Sequence, residues 1–247
     1  MKIKAVSFDF WNTLFTEEPG AFRLYQESRF RLLKEAVCAC GDFTEETIKQ
    51  AFSTEAEEHY RIWCNEHRTV QTAERVSRIL TLLEACLPDA VMAEMVKSFE
   101  EGVLERPPVL VPGARETIER LSVNYRLGII SDVGYSPGRV LREVIRQNDL
   151  LHAFDSLIFS DEAGRSKPHV DVFRRTARLL DAAPEEIVHI GDLERTDIQG
   201  AKIAGCRAIR FTGVTSMEPH ETTAADMVTA DFYELPRLIS ELSGDEV

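Results

Sequence analysis

The sequence contains no apolar stretch approaching the roughly 20 residues that a membrane-spanning helix needs, so no span is expected in its 247 residues. Its opening, MKIKAVSF, lacks the long apolar segment and small-residue cleavage site of a secretion signal and runs straight into a polar turn. Cysteine is scarce. Five are present, at 38, 40, 64, 86 and 206, with no Cys-x-x-Cys spacing. Cys38 and Cys40 lie two apart in a helical pattern and point to different sides, so buried free thiols are expected rather than a metal or redox centre. A cytoplasmic location follows as the expectation. Positive charge is also short: Lys and Arg number 29 against 42 acids, for a formal net charge of -13. Such a field repels phosphate backbones and anionic lipid, so neither nucleic acid nor membrane is an expected partner. An anionic small substrate would need a local positive patch or a metal. Internal repeats and low-complexity tracts are lacking too.

What is present has an ordinary globular balance, 44% hydrophobic and 29% charged, on a chain long enough for one large domain or two modest ones. Five short apolar runs read as strands: 3–8, 126–131, 156–159, 187–190 and 207–211. Most are continuous rather than alternating, which suits a parallel sheet covered on both faces. The last four recur with helical patterns between them, the spacing of βαβ units. Ser136-Pro137 reads as the start of one such helix, cap followed by first-turn proline.

Between the first two strands lies a long, wholly helical segment. Phe30, Leu33, Val37 and Cys40 share one face; Val76, Ile79, Leu80, Leu83 and Leu87 share another; Met92, Met95, Val96, Phe99 and Val103 share a third. Asp42 is a candidate cap for the helix through AFSTEAEEHYRIW. Pro107-Pro108 stops the last helix. The expected fold is therefore an α/β domain, doubly wound about a Rossmann-like parallel sheet, comprising 1–16 and 107–247, with a helical unit over 17–106 inserted after its first strand.

In an open parallel sheet, ligands bind beyond the carboxyl ends of the strands. Strand one ends in Asp9, strand two in Ser131-Asp132, and strand four in Gly191-Asp192 with Asp197 following. After strand three, GRSKP sets Lys167 on a loop. Acids, hydroxyl and lysine thus converge on one rim. His189 reads as a satisfied core residue, and the other histidines show no ligand spacing. Arg23, Arg29 and Arg31 read as a solvated face, with a substrate contact from one of them as the alternative. Asn12 is a candidate for left-handed backbone.

FDFWNTL, GIISD, GRSKP and IGDLERTD, in this order, resemble the four motifs of the haloacid dehalogenase-like hydrolase superfamily, phosphatase branch, and the helical insert sits where that family places its cap domain. The resemblance covers the whole chain and implies a Mg²⁺-dependent phosphatase or phosphotransferase working through an aspartyl-phosphate on a small phosphorylated molecule. It makes Asp9 the nucleophile. Thr13 would support the loop as part of the phosphate-binding set, with Ser131, Asp132 and Lys167. Ser131 would hydrogen-bond the phosphoryl group, and Lys167 would neutralise charge. Mg²⁺ would be held by Asp9, Asp192 and the backbone carbonyl of Trp11, with Asp197 bracing them. A monomer or homodimer is expected.

Trp11 departs from the family, which usually carries a second Asp there to protonate the leaving group and activate water. An indole N–H donates only and cannot do this work. Three readings stay open: a phosphoryl-transfer enzyme whose leaving group needs little protonation, or is protonated by water, substrate or a cap residue; a metal-independent 2-haloacid dehalogenase; and a weak or silent protein that binds Mg²⁺ and a phosphorylated ligand. The acid pair Asp192/Asp197 would repel a haloacid carboxylate in the absence of metal, which favours the first over the second.

Overall fold

The computed structural model describes residues 2–214 and 222–244; His220 lies outside them. The expected apolar runs all pair, as β1 (Ala5–Phe8), β4 (Arg126–Ser131), β5 (Ser156–Phe159), β6 (Ile187–Gly191) and β7 (Arg207–Phe211). They form a parallel sheet ordered β5-β4-β1-β6-β7-β8, whose last member is β8 (Met227–Thr229). That sixth strand was not expected from the sequence. It is three residues long, and its central Val228 is half exposed at the sheet edge, so no apolar run announces it. A separate antiparallel pair joins β2 (Phe15–Thr16) to β3 (Val109–Leu110), tying the chain's exit from the sheet to its return.

Along each inner strand the side chains alternate between two apolar layers. Val6 and Phe8, Leu127 and Ile129, Val188 and Ile190, and Ile209 and Phe211 face one layer. That layer is closed by helices α5 (Ala114–Ser122), α6 (Gly138–Gln147) and α10 (Leu235–Ser243). Ala5, Ile130, Ile158, Ile187 and Ala208 face the other, where they meet Val172, Phe173 and Ala177 of α8 (Val170–Leu179) and Ala201 of α9 (Gln199–Ala204). A single short turn of helix, α7 (Ser160–Ala163), follows β5. Both faces are therefore covered, which explains why the strands read as unbroken apolar runs.

The segment between β2 and β3 forms α1 (Ala21–Cys38), α2 (Glu45–Glu66), α3 (Thr72–Leu82) and α4 (Asp89–Glu101) around their own core, which Tyr135 from the sheet domain enters. Several details differ from the sequence reading. Helix α2 is capped by Thr44, whose hydroxyl accepts from Thr47 N at 3.2 Å, while Asp42 is exposed. Helix α6 begins one residue late, at Gly138, because the Asp161 carboxylate takes the Gly138 N–H at 3.2 Å and caps the helix from a distance. All five cysteines are free, but only Cys206 is buried; Cys38, Cys40 and Cys86 are exposed. Helix α1 ends at Cys38, so its periodicity stops before Cys40 can join the packed face. Arg29 is not solvated: Tyr25, Arg29, Leu33 and Val37 step by four along the buried stripe of α1. Arg23 and Arg31 are exposed, as read.

Candidate active site

The strand order reverses beside β1: the chain steps outward to β4 and β5 on one side, then crosses to β6 on the other. The crevice at that reversal is where a doubly wound sheet binds ligands. Asp9 follows β1 and Asp192 follows β6, held side by side because Asp9 N donates to Ile190 O at 2.8 Å. Asp9, Trp11, Asp132, Lys167, Asp192 and Asp197 all line one cleft of about 200 Å³, with Trp63 of α2 closing it from above.

Turn geometry places these groups. Asn12 adopts φ 54°, the left-handed conformation expected of it, and donates to Phe15 O at 2.7 Å, folding the loop after Asp9 back on itself. Residues 194–198 make one wide π-type turn in which Ile198 N reaches back to Leu193 O at 3.3 Å. Such turns recur at functional sites. This one aims Asp197 at the end of β6, so close to Gly191 that a Cβ there would lie 2.3 Å from the Asp197 carboxyl carbon.

Lys167 is the hub. Its ammonium donates to Asp9 Oδ1 and, at 2.6 Å, to Asp197 Oδ1. Asp197 also accepts from Leu193 N at 3.1 Å and from Thr196 Oγ1 at 3.3 Å. His189 Nε2 lies 3.2 Å from Asp197 Oδ1, and its Nδ1 lies 2.9 Å from Ser7 Oγ. A neutral ring with Nε2–H donating and Nδ1 accepting satisfies both contacts. Burial keeps His189 below the ordinary imidazole range, against the pull of Asp197. The core histidine expected from the sequence is thus satisfied by a site residue.

Oxygens of Asp9, Asp192 and Asp197 lie within 4.8 Å of one another, all buried. Three carboxylates face one ammonium, and the electrostatics record the shortfall. Burial pushes Asp9 up to about 7 despite Lys167, and burial with Asp197 and Asp9 as neighbours pushes Asp192 up to about 8. At Asp197 burial acts the same way, yet Lys167 and His189 outweigh it and hold the group well below the carboxylate range. Lys167 is raised: its desolvation is overcome by Asp197, Asp9 and Asp132. Leaving a buried charge uncompensated costs several kcal/mol. The cluster therefore fits one more cation, and three hard oxygen donors suit a small divalent one.

Of the remaining expected groups, Asp132 lines the cleft, whereas Ser131 and Thr13 do not. Ser131 is buried and its hydroxyl donates to Asp132 O at 3.1 Å. Thr13 is fully buried, and its hydroxyl has no hydrogen-bond partner among the described residues. Asp132 uses both carboxylate oxygens: Oδ1 accepts from Lys167 N at 2.9 Å and Oδ2 from Trp63 Nε1 at 2.8 Å. The Arg195 guanidinium lies 4.2 Å from the Trp63 ring. Trp63 and Arg195 escaped the sequence reading because each acts across a helical insertion, with no spacing signal to connect them. Trp11 packs edge-on against Phe10, with ring centres 4.9 Å apart, and touches both the sheet-domain core and the cluster formed by Ala21, Tyr25, Val103 and Val140.

A family model described as haloacid dehalogenase-like hydrolase matches residues 3–205. The chain is 32% identical over 135 residues to a glyceraldehyde 3-phosphate phosphatase from Pyrococcus furiosus, covering 53% of this chain and 54% of that protein. It thus spans about half the length of this curated relative. Among solved structures, it resembles a 2-haloacid dehalogenase from Pseudomonas syringae (TM-score 0.71, 23% identity, 97% of this chain and 99% of that one). It also resembles a HAD phosphatase from Thermococcus onnurineus (TM-score 0.67, 23% identity, 96% and 98%). At such identities the likeness establishes the fold alone.

Proposed function

Because the chain belongs to the haloacid dehalogenase-like hydrolases, we propose that it is a Mg²⁺-dependent phosphatase acting on a small phosphorylated molecule through an aspartyl-phosphate at Asp9. The observation that carries this reading is the Lys167 ammonium bridging Asp9 and Asp197 inside an acid cluster that still lacks positive charge. Asp9, Asp192 and the Trp11 carbonyl would hold Mg²⁺, with Asp197 fixing Lys167 beside them. The ion supplies positive charge to a carboxylate and a phosphoryl group that would otherwise repel each other.

Lys167 occupies Asp9 Oδ1, leaving Oδ2 to attack. A bond forms from Oδ2 to phosphorus as the bond from phosphorus to the leaving oxygen breaks, and that oxygen departs with the electron pair. Ser131 would turn its hydroxyl from Asp132 O to the phosphoryl group, and the buried Thr13 would support the loop that follows Asp9. Asp132, an acceptor whose oxygens are both engaged, serves phosphate binding through the Lys167 loop that it positions. Water then attacks phosphorus, the bond to Oδ2 breaks with its electron pair returning to Asp9, and the water's proton passes to a phosphoryl oxygen and departs with the phosphate. Trp11 can neither give the leaving oxygen a proton nor take one from water. The reaction should therefore favour leaving groups that are stable as anions, such as acyl phosphates. A dehalogenase reading meets an obstacle in the three buried carboxylates, which would repel a haloacid.

The test is phosphate release from acyl phosphates and alkyl phosphomonoesters, with 2-haloacids alongside, each with Mg²⁺ and with chelator. Release should require Mg²⁺, vanish in Asp9→Asn and decline steeply as leaving-group pKa rises. Trp11→Asp should raise alkyl-ester turnover by about 10² to 10⁴, the usual worth of general acid–base help. Metal-independent halide release from a haloacid by the parent would refute the proposal.

A further inference from the structure

We infer that the cavity between the helical insert and the sheet domain is a leaving-group subsite for a small hydroxylated group ending in a carboxylate. This rests on the phosphatase reading and deepens it. Trp11 lines both this cavity, about 350 Å³, and the catalytic cleft, so the two adjoin at the indole, past which a substrate with its phosphate at Asp9 would reach. Its polar wall includes Glu17, Gln26, Arg29, His59 and Arg75.

The two arginines are in different states. Arg75 is neutralised by a buried two-pronged pair with Glu55, at 2.9 and 2.8 Å. Arg29, only 7% exposed, has no carboxylate in ion-pair contact among the described residues. Its Nε and Nη2 share the carbonyl of Phe99 at 3.2 Å each, its guanidinium carbon lies 4.5 Å from the Tyr135 ring centre, and Nη1 has no acceptor among the described residues. Glu17 lines the same cavity and feels the Arg29 charge, but the two form no ion pair. Burying a guanidinium without an anion is costly, and a planar carboxylate matches its fork. With Arg75 neutralised by Glu55, Arg29 is left with only the unbonded Glu17 as a charged neighbour on this wall, so the cavity has room for one anionic group and not for a second phosphate.

Two further atoms ask for a partner. Gln26 Oε1 and His59 Nδ1 are buried with no hydrogen bond, and turning the Gln26 amide over would only exchange which of its atoms is stranded. A hydroxyl, which both donates and accepts, answers either group. Carboxylate for Arg29 and hydroxyl for Gln26 or His59 together define the class.

Calorimetric titration of the Asp9→Asn protein in Mg²⁺ would compare 3-phosphoglycerate, glycerol 3-phosphate and 3-phosphooxypropionate, which differ in carboxylate and hydroxyl alone. The first should bind about 10- to 100-fold more tightly than the second, the usual range for a hydrogen bond to a charged group. Arg29→Met should bring that ratio towards one and Arg29→Lys should retain part of it. Gln26→Leu combined with His59→Phe should erase any preference of 3-phosphoglycerate over its deoxy analogue. Equal binding of 3-phosphoglycerate and glycerol 3-phosphate, or no binding of either, overturns the inference before Arg29 or Gln26 is changed. Failure of the phosphatase reading would appear separately, as absence of phosphate release from every acyl phosphate and phosphomonoester by the parent.

Discussion

At Gly191 the missing side chain is occupied by another residue: the Asp197 carboxyl stands where a Cβ would go, at 2.3 Å. Asp197 in turn fixes Lys167 at 2.6 Å, so a methyl group at Gly191 would be felt at the ammonium beside Asp9. Gly191→Ala should fold, since a turn can shift by the needed amount, yet lose about 10- to 100-fold in Mg²⁺ affinity, as partners behind metal ligands typically do when disturbed. Titration of Mg²⁺ against activity, with circular dichroism as the check on folding, reads this directly. At this scale much was legible beforehand. Asp9, Lys167 and Asp192 end strands or sit on the loop after one, and Asn12 was marked by being the residue best suited, after glycine, to φ 54°. Arg29 was misread although its signal was present: it keeps the four-residue step of Tyr25, Leu33 and Val37. Charge argued for solvent there, and position in the helix argued for burial; position won because the cavity, Tyr135 and a backbone carbonyl receive the guanidinium.

Helix α2 carries the connection between insert and catalytic loops. Trp63 on it donates to Asp132 Oδ2, while Asp132 Oδ1 holds the Lys167 N–H, so a single carboxylate joins the insert to the lysine loop. A second link lies next door, where Ser166 N donates to His67 O at 2.9 Å. Trp63→Phe keeps a ring against Arg195 but removes the donor and strands an oxygen of the half-buried Asp132 carboxylate. Urea unfolding should report a loss of about 1.5 to 3 kcal/mol, the range for a hydrogen bond to a charged group. Catalytic turnover should fall with it, because the Lys167 loop loses a support; unchanged stability and turnover together would show that Trp63 is only a lid. Elements were more readable than their joints. Continuous apolar runs gave five strands, and the period of 3.6 gave the inserted helices. The caps at Thr44 and Asp161 and the short edge strand β8 depend on contacts remote in sequence, which periodicity does not encode.

Across the whole molecule, the response to acid should carry the mark of the cavity between insert and sheet domain. Burial, with the charges of Arg75 and Arg78 adding to it, pushes His59 down to about 3 from an ordinary imidazole value near 6.5. As pH falls below about 6.5 the unfolded chain binds a proton at this position and the folded chain does not, so folding loses free energy with falling pH. The contribution is fully present above that range. Below it, the limiting slope is about 1.4 kcal/mol per pH unit for one group. His189, also depressed by burial, acts in the same direction, but it is present in parent and variant alike and cancels in their difference. The stability difference between the parent and His59→Phe should therefore be flat above pH 7. It should then turn against the parent by up to about 2 kcal/mol at pH 5, by that slope. Denaturant unfolding at a series of pH values gives the curve. Parallel profiles for parent and variant would mean that His59 is protonated in the folded protein, with an anion or water reaching it through the cavity.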